Sequence, residues 1–208
     1  MKAVITGASK GIGRALVELL LSEGHLVCAC ARSAVLEREG LLFKRCDVSD
    51  IEQVRQFVDS CAEYLGGFDL LVNNAAILGE MSFIEDYTPE VWREVIDINL
   101  NGSFYVARFA IKYMYKGSVI VNVSSGVGRR VAPRWGAYSI SKFAIEAFTN
   151  LLEAELSQRG IRVLSFNPGA VATDMRAAAY PNEDRSLLKT PESSARELLD
   201  IIGKFSSS

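Results

Sequence analysis

Short apolar segments recur along the chain and alternate with segments of helical period. The apolar runs are rich in Val, Ile and Leu and lack a regular in-and-out alternation, which is typical of strands covered on both faces. The segments between them repeat apolar residues every three or four positions, as in GIGRALVELLLSEG. The predicted strands are KAVIT (2–6), HLVCACA (25–31), LLFKRC (41–46), DLLVN (69–73), SVIVNVS (118–124) and IRVLSF (161–166).

Capping residues indicate where the longer helices begin. Ser49 and Glu52 have the spacing of a capping box, and Thr88 precedes Pro89, a residue favoured in the first helical turn. Because crossovers between parallel strands are right-handed, the alternation of elements predicts an α/β fold with a doubly wound parallel sheet. Helices are predicted over 11–23, 50–65, 88–115 and 136–159, with a last one that begins near 190.

Length and charge narrow the class of protein. The 208 residues suit a single domain, 1–208, and a formal net charge of −2 excludes a strongly basic surface for nucleic acid or anionic lipid. The apolar runs are too short to cross a bilayer, and MKAVITG leads into a strand pattern rather than a secretion signal. We therefore expect a cytoplasmic protein without a nucleic-acid or membrane partner. The serines at 206–208 are expected to form a loose tail.

The four cysteines, Cys28, Cys30, Cys46 and Cys61, are interpreted as core residues. They are few for the length of the chain, so a disulfide framework is not expected. His25 is the only histidine and no C-x-x-C pair occurs, so we expect no metal site.

A glycine-rich turn follows the first predicted strand. In VITGASKGIGRAL, Gly7, Gly11 and Gly13 allow the backbone to approach a pyrophosphate closely, and the helix that follows offers its free N–H groups. A tight turn that needs glycine only for steric reasons is the alternative.

Tyr138 and Lys142 lie one helical turn apart in YSISK. Residues at i and i+4 share a helix face, so the ammonium is expected close to the phenol. A nearby positive charge favours the phenolate, which would make Tyr138 a better acid or base at neutral pH. The pair therefore predicts proton-transfer chemistry.

Together these motifs resemble the short-chain dehydrogenase/reductase family over nearly the whole chain. TGASKGIG is similar to the family's TGxxxGxG turn, YSISK to its YxxxK motif, and NNAA and CDV to its NNAG motif and its adenine-contacting segment. The resemblance implies a Rossmann-like sheet of about six strands in the order 3-2-1-4-5-6. It also implies a catalytic set of Asn99, Ser125, Tyr138 and Lys142. The cofactor-binding residues that it implies are Gly7, Ser9, Lys10, Gly11, Ile12, Gly13, Arg32, Asp47, Val48, Asn74, Ala75, Tyr138, Lys142, Pro168, Gly169, Val171 and Thr173.

Within this catalytic set the resemblance implies a division of roles. Ser125, rather than Ser124, holds the substrate carbonyl against the nicotinamide while Tyr138 donates its proton. Asn99, favoured over Asn101, is expected to interrupt its helix and leave a carbonyl free for a proton-relaying water.

Charge at the end of the second strand favours NADP(H) as the cofactor. NAD-binding folds usually place an acidic residue there, whereas HLVCACARS ends in Ala31 and Arg32. Arg32 and Lys10 are therefore expected to bind the 2′-phosphate. The alternative is that both are ordinary solvated surface charges.

The C-terminal part departs from the family pattern. No seventh strand is evident, the substrate loop near 176–190 is short, and the helix between the second and third strands is expected to be vestigial. The last helix is expected to cover the open edge of the sixth strand. Losing one of the family's two contact surfaces favours a homodimer, formed through the helices at 88–115 and 136–159.

The sequence thus predicts an NADP(H)-dependent oxidoreductase that acts on a small carbonyl or alcohol substrate, with Tyr138 as acid/base. A nucleotide-sugar epimerase or dehydratase and a non-catalytic NADP-binding regulator are the alternatives. An apolar substrate cleft is expected from Ala76, Gly126, Val127, Trp135, Met175 and Tyr180.

Overall fold

The fold is known from a computed structural model that describes residues 1–33 and 36–206. Its centre is a parallel sheet of six strands in the order 3-2-1-4-5-6, which confirms the predicted fold class and strand order. Every predicted strand end lies within one residue of the observed end. The strands are β1 (Lys2–Thr6), β2 (Leu26–Ala31), β3 (Leu41–Arg45), β4 (Leu70–Asn73), β5 (Val119–Val123) and β6 (Arg162–Phe166).

Seven α-helices connect and flank these strands in the described part of the chain. The helix predicted over 50–65 is confirmed, but Asp50 rather than Ser49 caps it, because its carboxylate accepts from the backbone N–H groups of Glu52 and Gln53. The helices are α1 (Gly11–Ser22), α2 (Ile51–Leu65), α3 (Pro89–Ile96), α4 (Gly102–Ala110), α5 (Gly136–Leu156), α6 (Asp174–Ala179) and α7 (Pro191–Ser206).

The prediction of one continuous helix over 88–115 is wrong. The segment divides into α3, a π-helical turn over Asp97–Asn101 and α4, followed by a short 3₁₀ turn at Ile111–Tyr113. Thr88 precedes Pro89 as expected, although its side chain makes no capping hydrogen bond. The π turn has a functional consequence, because it contains Asn99.

Helices cover both faces of the sheet. On one face, α1 and α7 pack against alternate strand residues such as Ala3 and Ile5. On the other face, α2, α4 and α5 pack against the intervening residues, including Val4. All four cysteines are free, buried and part of this second layer, which confirms their interpretation as core residues.

The edges of the sheet are short of helical cover. Residues 32–33 and 36–40 between β2 and β3 form no helix, and residues 34 and 35 lie outside the described residues. At the other edge, α7 packs chiefly beside α1, in the same apolar layer as Phe166 of β6. The N–H of Val163, which points away from β5, donates instead to the carboxylate of Glu153 on α5. A charged acceptor on the outer side discourages pairing with a further strand.

The C-terminal serines were predicted to form a loose tail. Helix α7 continues to Ser206, and the serines at 207 and 208 lie outside the described residues. Among the helices of residues 1–33 and 36–206, none combines the length and the apolar character needed to cross a membrane.

Candidate active site

A cleft of about 780 Å³ lies at the carboxyl ends of the strands. Loops that follow all six strands contribute to it, because parallel strands end at the same edge of the sheet. Gly7 follows β1, Arg32 follows β2, Asn74 follows β4, Ser125 follows β5 and Pro168 follows β6. The cleft thus joins segments that are far apart in the sequence.

The glycine turn is closely packed against the loop after β4. A Cβ atom on Gly7 would lie 2.6 Å from the Cα of Ala75, and one on Gly13 would lie 2.4 Å from the side-chain nitrogen of Asn74. That same nitrogen donates to the carbonyl groups of Thr6 and Gly7 at 3.0 Å. Gly13 therefore serves packing and does not line the cleft itself, whereas Gly7, Ser9, Lys10, Gly11 and Ile12 do.

The N-terminus of α1 is open to a ligand. Its N-cap residue, Lys10, is extended and makes no side-chain cap, and the first turn holds no acidic residue. By contrast, side chains cap α2 and α6. Free N–H groups and the helix dipole at such an end favour a phosphate. With the close approach that Gly7 permits, these residues fit the pyrophosphate of a dinucleotide.

The two cations predicted to bind a 2′-phosphate line the cleft, but each contacts a carboxylate. Lys10 Nζ lies 3.1 Å from Asp174, and an Arg32 Nη atom lies 3.4 Å from Glu94 on α3. All four side chains are about half exposed or more. Neither partner was foreseen from the sequence.

The segment after β3 contributes to the cleft through two of its three residues. Cys46 and Val48 line the cleft, whereas the carboxylate of Asp47 accepts from the N–H and the hydroxyl of Ser49 at 3.0 and 2.7 Å. Asp47, expected to contact the adenine base, thus orders its own turn in this structure.

Ser125, Tyr138 and Lys142 meet at the floor of the cleft. The Ser125 hydroxyl lies next to the Tyr138 phenol, and both residues line the cleft, while Ser124 is 2% exposed. Lys142 Nζ lies 5.6 Å from the centre of the Tyr138 ring and donates to the carbonyl of Val123 at 2.7 Å. Helix α5 presents Tyr138 and Lys142 on one face, as their spacing predicts.

The electrostatics of this group differ from the prediction. Burial raises the pKa of the Tyr138 phenol, although the neighbouring Ser125 hydroxyl acts in the opposite direction. Burial also lowers the pKa of Lys142 to about 8, against the effect of the nearby Glu146 carboxylate. The expected stabilisation of a phenolate by Lys142 is therefore wrong for this structure, because desolvation of both groups dominates.

Asn99 occupies the π turn and bridges two other segments. Its side chain pairs with both backbone groups of Ile77, at 2.8 and 2.9 Å, and donates to the hydroxyl of Ser141 at 3.1 Å. The Asn99 carbonyl accepts from the hydroxyl of Ser103 at 3.2 Å. Asn101 instead donates to Asp97.

A strap over residues 171–189 closes the far side of the cleft. Four residues after β6 that were predicted to bind the cofactor all line the cleft, namely Pro168, Gly169, Val171 and Thr173. Val171 and Lys189 form a parallel bridge at the base of the strap, with Ala172 N donating to Lys189 O at 2.8 Å. Of the predicted substrate-cleft residues, Ala76, Trp135 and Met175 line the cleft; Gly126, Val127 and Tyr180 are not among the lining residues.

Comparison with known proteins identifies the family. The family model for short chain dehydrogenases matches residues 1–184. The chain belongs to the short-chain dehydrogenase family. An uncharacterized oxidoreductase of Staphylococcus aureus is 33% identical over 197 residues, a match that covers 89% of this chain and 84% of that protein.

Solved structures of other short-chain dehydrogenases share the fold. One from Burkholderia cenocepacia in complex with NADP has a TM-score of 0.87 at 26% identity, covering 100% of this chain and 92% of its own. One from Shigella flexneri, also complexed with NADP, has a TM-score of 0.82 at 30% identity, covering 98% and 88%.

Sequence reasoning missed three polar residues around this short-chain dehydrogenase site. Glu94 and Asp174 contact the predicted phosphate-binding cations, and Ser141 joins Asn99 to the Tyr138 helix. Of the three, only Ser141 could have been recognised as a site residue in the sequence, because it lies inside the YSISK motif.

Proposed function

We propose that this short-chain dehydrogenase is an NADP(H)-dependent oxidoreductase that interconverts a carbonyl compound and an alcohol. The observation that carries the proposal is the position of the Ser125 hydroxyl next to the Tyr138 phenol, beside Lys142, in the lining of the cleft. A hydroxyl, a phenol and an ammonium at one point suit protonation of a carbonyl oxygen. The cofactor assignment is supported by the open N-terminus of α1, by Lys10 and Arg32, and by two structural relatives that are complexed with NADP.

The residues of the site divide the reaction between them. Ser125 donates a hydrogen bond to the substrate oxygen and orients it toward Tyr138, which donates its proton to that oxygen. When bound, the nicotinamide ring supplies the hydride that the carbonyl carbon accepts. Lys142 provides a positive charge at the base of the cleft, and Tyr138 regains its proton from solvent, so reduction consumes one proton overall.

Reduction is the direction that the protonation states favour near neutral pH. Because burial raises the pKa of Tyr138, the phenol carries the proton that a carbonyl oxygen needs. Alcohol oxidation requires the phenolate instead, so its rate is expected to increase with pH.

We also propose that the chain acts as a single-domain homodimer that pairs through α4 and α5. Both helices expose large apolar side chains, at 38–56% of their full area. These form a stripe along α5, with successive members three and eight residues apart, beside one residue of α4. The exposed residues are Phe104, Ile140, Phe143 and Leu151.

The proposed activity is tested by NADPH oxidation with a panel of aldehydes, ketones and quinones. Tyr138→Phe, which keeps the ring and removes the proton, is expected to lose about 10²–10⁴-fold in kcat while still binding NADPH. If the wild-type protein turns over no carbonyl faster than Tyr138→Phe does, the catalytic proposal fails and a non-catalytic NADP-binding role is favoured.

A further inference from the structure

The charged side chains that line the cleft all have partners of their own. Lys10 pairs with Asp174, Arg32 contacts Glu94, and Lys142 donates to the carbonyl of Val123. The remaining charged residue of the described lining, Arg176, lies on α6 in the strap over 171–189. Its partner decides what kind of substrate the strap can accept.

Arg176 is held by Glu183 in a two-point ion pair. Nε and an Nη atom of Arg176 lie 2.6 and 2.5 Å from the two carboxylate oxygens of Glu183. Both side chains are less than a third exposed, at 26% and 29%, so solvent screens this pair less than the other ion pairs of the cleft. Arg–carboxylate pairs of this geometry are strong and directional. The same fork that would recognise a substrate carboxylate is therefore already occupied.

Aromatic rings connect this ion pair to the catalytic tyrosine. The guanidinium carbon of Arg176 lies 3.9 Å from the centre of the Tyr180 ring. Tyr180 packs at 5.9 Å from Trp135, and Trp135 packs at 5.6 Å from Tyr138, both at tilted angles. Of these three rings, those of Trp135 and Tyr138 line the cleft, and Tyr180 links Trp135 to Arg176. Apolar residues complete this part of the lining, namely Ala76, Leu78, Met175, Ala178 and Ala179.

Resting on the function proposed above, we propose that the substrate is an uncharged carbonyl compound with a flat apolar ring, and that Glu183 sets this preference by neutralising Arg176. An apolar ring matches the rings of Trp135 and Tyr138 in the lining, whereas a substrate carboxylate would be desolvated in the cleft without a free cation. Glu183 acts through Arg176 and is a specificity-determining residue, not a catalytic one. Removing its charge should free Arg176 to bind an anionic ring.

The first test compares two substrates of the same shape. 4-Methylbenzaldehyde and 4-carboxybenzaldehyde differ in charge at the ring position opposite the carbonyl group. The wild-type protein with NADPH is expected to favour the methyl compound by about tenfold or more in kcat/KM, the size of effect that an unpaired buried polar group produces. An equal or greater kcat/KM for the carboxylate would overturn the proposal.

The second test changes the ion pair. Glu183→Gln is expected to reduce that preference about tenfold, chiefly by raising kcat/KM for the carboxylate, because an Arg–carboxylate contact becomes possible. Glu183→Asp retains the charge and should keep most of the wild-type preference. Glu192→Gln removes one exposed carboxylate of α7 and serves as the matched control, with no expected change. A preference that does not move in Glu183→Gln, or that moves as far in Glu192→Gln, would refute the role of Glu183.

A binding measurement separates this inference from the proposed activity. Calorimetric titration of 4-methylbenzyl alcohol and 4-(hydroxymethyl)benzoate into Tyr138→Phe saturated with NADP⁺ requires no turnover. Tyr138→Phe should bind the methyl compound more tightly than the benzoate, and adding Glu183→Gln should equalise or reverse the two affinities. This result supports the inference even if the reductase activity fails. Tighter binding of the benzoate, or saturable binding of neither compound, overturns the inference even if other carbonyl compounds are reduced.

Discussion

The side-chain amide of Asn99 donates a hydrogen bond to the hydroxyl of Ser141 at 3.1 Å. Asn99 lies in the π turn and Ser141 in the first half of α5, three residues after Tyr138. Ser141 in turn donates to the carbonyl of Tyr138 at 2.7 Å. Since Asn99 also pairs with the backbone of Ile77 in the cleft wall, one amide ties the position of the Tyr138 helix to that wall.

Ser141→Ala should therefore weaken catalysis through positioning. The bond from Asn99 disappears, and a misplaced Tyr138 is expected to lower kcat about tenfold with little change in KM, because small displacements of a proton donor slow the chemical step. The free energy of unfolding should fall by roughly 1–3 kcal/mol, the cost of leaving a buried polar group with fewer partners. Steady-state kinetics and urea denaturation measure both.

The control for this change is Ser139→Ala. Ser139 is also buried in α5 and donates to the carbonyl of Val127 at 2.7 Å, but it does not contact Asn99. A comparable loss of stability with a much smaller loss of kcat is expected. Equal losses of kcat in the two variants would contradict the role assigned to Ser141.

Burial of Lys142 predicts a pH dependence of stability. Its pKa is about 8 in the folded protein and 10.5 in the unfolded chain. Between these values the unfolded chain binds more protons, so this residue makes the free energy of unfolding rise with pH. Below pH 8 the buried ammonium lowers the free energy of unfolding by its full amount, about 3 kcal/mol from the shift in pKa. Above pH 10.5 this penalty has disappeared.

Lys142→Met isolates this contribution. Other groups, including Tyr138, also titrate in the alkaline range, so the informative quantity is the difference between the wild-type and variant unfolding free energies. That difference should move in favour of the wild type from pH 8 to pH 10, measured by urea denaturation of the cofactor-free proteins. Parallel curves would mean that Lys142 keeps its ordinary pKa.

The strands could be predicted closely because their signal is local. Continuous apolar runs such as SVIVNVS are required wherever helices cover both faces, and each run ended within one residue of its strand. The helix over 88–115 was predicted poorly for the opposite reason. Its π turn coincides with bonds from Asn99 to Ile77 and Ser141, residues that propensity within the segment does not report.

The electrostatics of the site depend on contacts that are distant in sequence. Lys10 and Asp174 are 164 residues apart, and Arg32 and Glu94 are 62 apart. The YxxxK spacing correctly indicated a shared helix face for Tyr138 and Lys142. The sign of the Tyr138 pKa shift was wrong because desolvation depends on every element packed around the phenol.

Glu94 is expected to weaken the binding of a 2′-phosphate. Its carboxylate contacts Arg32 at 3.4 Å, so a phosphate must replace that contact. Glu94→Gln should raise the affinity for NADPH by roughly two- to fivefold, since exposed ion pairs contribute about 0.2–1 kcal/mol. NADH, which lacks the 2′-phosphate, should gain little. Calorimetry with adenosine 2′,5′-bisphosphate and 5′-AMP measures the same difference without the nicotinamide.

Glu90→Gln provides the comparison for this prediction. Glu90 lies in the first turn of the same helix and pairs with Arg93, away from Arg32. Glu90→Gln removes the same negative charge as Glu94→Gln, so it controls for the general electrostatic field of α3. Similar gains in both variants, or an equal gain for 5′-AMP, would show that Glu94 does not compete for Arg32.

The apolar stripe on α5 predicts how the subunits associate. Leu151 is 56% exposed near the end of this helix, and burying such side chains between two copies is the main driving force for pairing. Leu151→Asp would bury a charge within that contact, so light scattering should find monomers at concentrations where the wild type is expected to be dimeric. Ile51→Asp, at the exposed start of α2, changes an equally apolar residue that is 46% exposed and should leave the mass unchanged.

Because the stripe includes Ile140, two residues from Tyr138, dissociation is also expected to lower activity. A fully active monomer would show that catalysis does not depend on assembly.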